Sequence, residues 1–310
     1  MDYLLYAFHG LVLVFWVRLW SASSNEFHFN PFLSGTVRFT DSVFAFLRPV
    51  LFLPEQAAAA AVVAFTLGFK AALLWHLNAK WSIDIGTLFL FMPRLPATPD
   101  GQFAPILAFS AAQFAVFMVR LWTVYLLVRL ITPSSRVTRA TDALAYFSRP
   151  FSRLPIFAQP FALLALHALL ALFLTRACAS ATFPSLEAMA GDMTANPSTD
   201  GAPFLTGTAL AQFLKVGWLA ALSFADGFKF MMNALFVVIL GSLGAAVLQA
   251  RNAMIIFSEA VELLLGRFAR KGSAAMGIDF TPIIFIIVVN LMYGSICQTL
   301  HKLIHSPFLN

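Results

Sequence analysis

Long apolar runs broken by short basic stretches set the pattern of this chain. Six runs come near the roughly 20 residues needed to cross a hydrocarbon core as a helix. They are Leu4–Trp20, Ala57–His76, Ala104–Ile131, Ile156–Arg176, Phe230–Gln249 and Phe280–Leu300. Their centres are built of Phe, Leu, Val and Ala, with no Asp or Glu. A seventh run, Thr206–Phe224, carries Lys215 at its middle. Its apolar residues Leu210, Phe213, Leu214, Trp218 and Leu222 recur at helical spacing, which predicts a helix lying on the outer surface or re-entering.

The polar stretches give the orientation, because loops rich in Lys and Arg stay in the cytoplasm. Residues 21–49, 129–155 and 250–275 hold 11 of the 20 Lys and Arg. The alternate loops hold Lys80, Arg94, Lys215 and Lys302 beside Asp84, Asp100, Glu187, Asp192 and Asp200. The expected topology is a multi-pass membrane protein with both termini outside. A spanning Thr206–Phe224 would turn the 250–275 loop outward, so that run is assigned to the surface. Residues 183–203, rich in Ser, Thr, Pro, Asp and Gly, form the expected linker. The first twenty residues lack a basic leader and a small-residue exit, so they are expected to remain as the first helix.

An internal repeat organises the runs. Val17-Arg18-Leu19-Trp20 returns as Val119-Arg120-Leu121-Trp122. Downstream, Arg38, Asp41 and Arg48-Pro49 return at the same spacing as Arg139, Asp142 and Arg149-Pro150, with Thr40 and Thr141 before each Asp. On a helix at about 100° per residue, each Arg-Asp-Arg set falls within about 80°. Val37, Val43, Phe44 and Leu47 lie largely on the other side. The connectors are thus expected to be amphipathic cytoplasmic helices, with aromatic side chains in acyl chains and Arg among headgroups. A plain anchoring role and a binding role for anionic lipid or a protein partner both fit this pattern. A third, partial copy carries Arg267, Arg270 and Lys271, followed by Gly277, Asp279, Thr281 and Pro282 opening the last run. Gly there allows a tight turn, Asp279 can cap the helix and Pro282 fits its first turn. The expected units are 1–95 and 96–182 as hairpins, 183–225 as linker and surface helix, and 226–310 as the partial hairpin.

Composition sharpens the class. Sixty per cent of the 310 residues are hydrophobic and 11% are charged, against roughly 25% charged in soluble domains. So few charges cannot cover a water-soluble fold of this size, which excludes a soluble enzyme, a disordered chain and a nucleic-acid binder. The net charge of +6 is read as cytoplasmic loops beside anionic lipid. The fold class is therefore all-α: a polytopic protein of about six spans in repeated hairpins.

The motifs resemble the YGGT (YlmG-related) family of small bacterial and plastid membrane proteins. Its pattern runs from an Arg-ended span through Asn-Pro-Phe, Thr-x-Pro and Pro-x-Arg-Arg to a Gly-x-Asp-x-Ser-Pro opening. Here the first unit offers Arg18, Asn30-Pro31-Phe32, Thr40 and Arg48. The second offers Arg120, Thr141 and Arg149 without Asn-Pro-Phe. The last offers Arg267, Arg270-Lys271 and Gly277, Asp279, Thr281, Pro282. Ser42 and Ala143 stand where the family has Pro, and residues 177–225 lie outside the likeness. The resemblance implies a non-enzymatic role in envelope organisation, division or assembly of membrane complexes, with no cofactor. Its implied partners are the bilayer, anionic headgroups and a membrane protein or second copy. The competing expectation is a channel or small-solute transport component in osmotic adaptation.

Other chemistry is sparse. Arg120 is the one Arg deep within a run, expected to bond a neighbouring helix. Arg18, Lys70, Arg176 and Lys229 stand nearer run ends and are expected to snorkel. His9, His76 and His167 lie in or beside spans, where a hydrogen bond is the expectation ahead of a haem. His301 and His305 have i, i+4 spacing without an accompanying Cys or acid, so no metal is expected. Cys178 and Cys297 are expected as free thiols ahead of a disulfide. No nucleophile set, phosphate loop or zinc signature is present.

Overall fold

The structure is a computed structural model that describes residues 2–20, 30–52, 54–76, 82–85, 88–91, 103–132, 139–179, 209–265 and 281–304. It is helical, as the apolar runs require, with one short hairpin added. The helices are α1 (Asp2–Trp20), α2 (Pro31–Leu51), α3 (Glu55–His76), α4 (Phe103–Ile131), α5 (Arg139–Phe147), α6 (Gln159–Ala179), α7 (Ala209–Val247), α8 (Arg251–Leu265) and α9 (Thr281–Ile304). Strands β1 (Ser82–Ile85) and β2 (Leu88–Phe91) pair antiparallel, Ser82 facing Phe91 and Ile85 facing Leu88. Four helices are long and apolar enough to cross a membrane, over Glu55–Leu73, Ser110–Ile131, Val216–Val247 and Thr281–Thr299. Shorter apolar stretches lie in α1 (Ala7–Trp20) and α6 (Gln159–Leu170).

The seventh run departs from its expected place. α7 joins it to the fifth run as one unbroken helix of 39 residues, about 58 Å long at 1.5 Å per residue. No proline interrupts it, and the internal glycines are tolerated. An apolar helix this long has no reason to break at Lys215, and the separate surface helix does not form.

The residues fall into two compact units. One holds Met1–Lys70, Val124–Pro155 and Met231–Ile287; the other holds Ala71–Thr123, Ile156–Phe230 and Val288–Asn310. In the first unit, α5 packs against α1, α2 and α8. Val17 of α1, Leu33 and Val37 of α2 and Ala143 of α5 share one core cluster. Phe15, Phe44, Ala58 and Ala59 form another, closing α3 onto α1 and α2. α2 begins where the sequence places an Asn-Pro pair. The Asn30 side-chain oxygen accepts from Phe32 N at 3.0 Å, and Pro31 takes the first helical position. α7 ends in a left-handed residue, Gln249 (φ 54°), with Ala250 N–H bonded to Ala245 O. A Cβ on Gly241 would lie 2.6 Å from Phe257 Cε1, so only glycine lets the Phe257 ring of α8 reach α7.

In the second unit, α4, α6, α7 and α9 bring their polar faces together. α4 and α7 approach closely at Gly227, where a Cβ would lie 2.7 Å from Thr123 Cβ. Phe117 of α4 meets Phe230 of α7 edge-on with ring centroids 5.6 Å apart.

Candidate functional site

Each repeated Arg finds an acid, by a different route. In the first unit, Arg18 donates to Asp41 of α2 at 2.8 Å and to Glu55 of α3 at 3.2 Å. Its guanidinium lies 5.4 Å from the Phe44 ring centroid. Arg18 is buried, so it does not snorkel; two carboxylates on neighbouring helices compensate it in place. Lys70 likewise does not snorkel. It is fully buried, with Nζ 3.0 Å from His9 Nε2 of α1.

The connectors carry the other sequence-derived candidates. α2 buries Leu33, Val37, Thr40 and Phe44, spaced four, three and four residues apart. Arg38, Asp41, Phe39 and Phe46 are exposed. At about 100° per residue, Arg38 and Asp41 occupy one edge of the exposed arc and the two Phe the other. Thr40 donates back to Thr36 O and Val37 O at 2.9 and 3.0 Å, so its hydroxyl is satisfied within the helix. Asn30 does more than cap: its Nδ2 donates to Arg139 O at 2.7 Å, tying the start of α2 to the start of α5.

On α5, Arg139 and Asp142 are exposed, Thr141 is half-buried, and Ala140 and Ala143 are buried. Arg149 does not share that face. α5 stops at Phe147, because the residue before a proline disfavours helical backbone. Arg149 turns inward instead, donating to Trp20 O at 3.3 Å and stacking 3.9 Å from the Tyr146 ring centroid. Its own carbonyl accepts from Trp16 Nε1, and Arg153 donates to Trp20 O. The second Arg of this repeat therefore clamps α1, which spacing alone did not reveal. Arg48 lies within α2. Thr281 and Pro282 open α9, which places Pro282 in the first turn as expected. Arg267, Arg270, Lys271, Gly277, Asp279, His305 and the 183–203 linker lie outside the described residues.

The second unit holds the densest polar constellation. Arg120 stands 10 residues after the start and 11 before the end of its candidate span. It pairs with Asp226 of α7 at 2.9 Å, with only 3% of the Asp226 side chain exposed. Tyr293 of α9 donates to the other Asp226 oxygen at 2.8 Å. Lys229 sits 5.9 Å from the Tyr293 ring centroid, and Cys297, a free thiol, lies within hydrogen-bond reach of the Tyr293 hydroxyl. One turn along α4 and α7, His167 of α6 is held between Thr123 Oγ1 at 3.0 Å and Ser223 Oγ at 2.8 Å.

Asp226 is the residue that run-by-run reading missed. It falls between the fifth and seventh runs, and it entered no span centre while those runs were separate. With α7 continuous, a buried carboxylate joins the intramembrane set. The signal available was the charge of Arg120 itself: a buried guanidinium requires a counter-charge.

The described residues hold no group of three or more His, Cys, Asp or Glu placed to share a metal ion. No family model, curated protein or solved structure matches the chain.

Proposed function

We propose that this chain is a non-enzymatic, six-span protein of the bacterial inner membrane, of YGGT type, that supports envelope organisation or membrane-complex assembly. It acts through its basic connectors. The supporting observation is the pairing of α2 and α5 through Asn30, with Arg38, Arg139 and Asp142 left exposed. The exposed arc of α2 suits the interface between headgroups and acyl chains, with Phe39 and Phe46 beside its charged edge. The shorter apolar stretches of α1 and α6 complete the six spans, and the basic stretches face the cytoplasm.

The test is an Arg38→Gln/Arg139→Gln variant, which spares the inward-turned Arg149. Lipid retained through mild-detergent purification and proteins co-purified from native membranes are compared with the parent. Loss of anionic lipid or of a stable partner is the expected result; an unchanged complement of both defeats the reading.

A second reading, a small-solute or ion transport component, rests on one different observation. The second unit joins Arg120, Asp226 and Tyr293 by direct contacts in helices of membrane length, with His167 of α6 bonded to Thr123 and Ser223 of the same helices. Ionisable groups at that depth are costly, and they commonly mark ion and proton paths. Flux across proteoliposomes tests it.

A further inference from the structure

Two guanidinium groups meet at one carbonyl oxygen at the end of α1. Arg149 Nη1 donates to Trp20 O at 3.3 Å, and Arg153 Nη2 donates to the same oxygen at 3.0 Å. The two nitrogens therefore lie within 6.3 Å of each other, the sum of those distances. The short 3-10 turn Phe151–Arg153 that delivers them is fixed from several sides. Phe151 is buried and meets Tyr125 of α4 edge-on, with ring centroids 6.2 Å apart. Ser152 Oγ donates to Ala145 O at 2.6 Å, and Trp16 Nε1 holds the Arg149 carbonyl. All of these residues belong to the first unit.

Capping α1 does not account for the pair. One Arg is enough to bond the last carbonyls of a helix, and the helix end supplies only about half a unit of negative charge. A second guanidinium at the same oxygen adds like-charge repulsion, which an anion between the two reverses. Arg153 is exposed and makes no ion pair among the described residues. Asp41 and Glu55, acids of the same unit, are taken by Arg18. Trp20 adds a donor: its indole Nε1–H is shielded from solvent and has no acceptor among the described residues, an arrangement rare in folded proteins. A third guanidinium, Arg129 in the last turn of α4, donates to the Tyr125 hydroxyl at 3.1 Å, beside the ring on which Phe151 rests.

We propose that Arg149, Arg153 and Trp20 form a binding site for a phosphate group, supplied by the headgroup of an anionic phospholipid. Guanidinium forks match phosphate oxygens with paired, charge-assisted hydrogen bonds. The surroundings favour a lipid over a free ion. Trp16, Trp20, Tyr125 and Tyr146 gather at helix ends, as aromatic side chains do where spans leave the hydrocarbon. Leu154, next to Arg153, and Leu130, next to Arg129, are exposed and suited to acyl chains. A bound phosphate cancels the repulsion between Arg149 and Arg153, and so fastens α1 to the turn after α5. The site is separate from the exposed Arg38 and Arg139 and does not rest on their role, so the two fail separately.

The test uses the full-length protein in mild detergent, titrated separately with phosphatidylglycerol, phosphatidylcholine and inorganic phosphate. Native mass spectrometry counts bound molecules, and thermal unfolding reports both stabilisation by the lipid and whether each variant is folded. Phosphatidylglycerol is expected to bind the parent and raise its unfolding midpoint, well ahead of phosphatidylcholine. Arg153→Gln removes one exposed guanidinium and should weaken phosphatidylglycerol about tenfold, the size of one lost hydrogen bond to a charged group. Arg149→Gln/Arg153→Gln should abolish binding at this site. Phosphatidylglycerol bound as tightly by folded Arg153→Gln as by the parent overturns the site. Lipid lost in Arg38→Gln/Arg139→Gln but kept in Arg153→Gln overturns it while the connector reading stands. Lipid lost in Arg153→Gln but kept in Arg38→Gln/Arg139→Gln upholds it without the connectors. Equal binding of phosphatidylcholine, or inorganic phosphate that displaces the lipid, overturns the assignment to an anionic phospholipid.

Discussion

Arg120 and Asp226 are 106 positions apart in the chain and 2.9 Å apart in the fold. Each is costly alone at membrane depth, and each cancels the other. Removing one partner leaves a buried charge uncompensated, a loss on the order of 3–5 kcal/mol. Arg120→Met and Asp226→Leu are each expected to lower the unfolding midpoint in detergent strongly. The Arg120→Met/Asp226→Leu double variant should recover most of that loss, because it leaves no charge behind. A double variant no more stable than the worse single one would show that the pair does not act as a unit.

Two glycines on α7 give a matched comparison. Gly227 faces Thr123 with no room for a methyl group, whereas nothing lies within 4 Å of a Cβ on Gly217. Gly227→Ala should therefore push α4 and α7 apart and cost about 1–3 kcal/mol, the usual range for overpacking. Gly217→Ala should be neutral or slightly stabilising, since alanine favours helix by up to about 1 kcal/mol. Thermal unfolding of the two variants side by side checks this, and equal effects would refute it.

Asn30 carries two separable duties. Asn30→Ala removes the cap, worth about 1 kcal/mol, and the bond to Arg139 O, worth about 1 kcal/mol more. Asn30→Asp keeps an oxygen for Phe32 N but has no donor for the Arg139 carbonyl. It should therefore leave α2 formed and loosen α5. Amide hydrogen exchange would show faster exchange through residues 139–147 in both variants, and through 31–35 only in Asn30→Ala. Faster exchange at the start of α2 in Asn30→Asp would contradict the capping role.

Local chemistry was legible in the sequence wherever partners are close along the chain. The Arg38–Asp41 spacing announces an amphipathic connector, and α2 is one; Asn30-Pro31, read there only as a family motif, turns out to start that helix. Long-range compensation was not legible. Lys70 looks like a snorkelling end residue until His9 is seen 3.0 Å away. Arg149 looks like the last member of a solvated stripe until the helix is seen to end at Phe147. The continuity of α7 was lost to an orientation rule applied to each run separately, and Asp226 was lost with it. Run length and charge counts are one-dimensional quantities, whereas the cost of a buried charge depends on what a distant helix brings to it.

Orientation offers the last test. α5 packs against α1, α2 and α8 in one unit, so these connectors cannot lie on opposite sides of a hydrocarbon core about 30 Å thick. Their basic residues favour the cytoplasm, where each Lys or Arg near an anionic surface gains about 1 kcal/mol. In a Cys178→Ala/Cys297→Ala background, Ser42→Cys on α2, Asp142→Cys on α5 and Ser258→Cys on α8 should all react with a membrane-impermeant maleimide only after the cytoplasmic face is opened. Ser82→Cys, on the alternate side of α3, should react in intact cells. Reaction of Ser258→Cys from outside would separate α8 from α5 and reverse the end of α7. Reaction of all three connector sites from outside would instead keep the unit intact and invert the whole protein, removing the basis for cytoplasmic docking by Arg38 and Arg139.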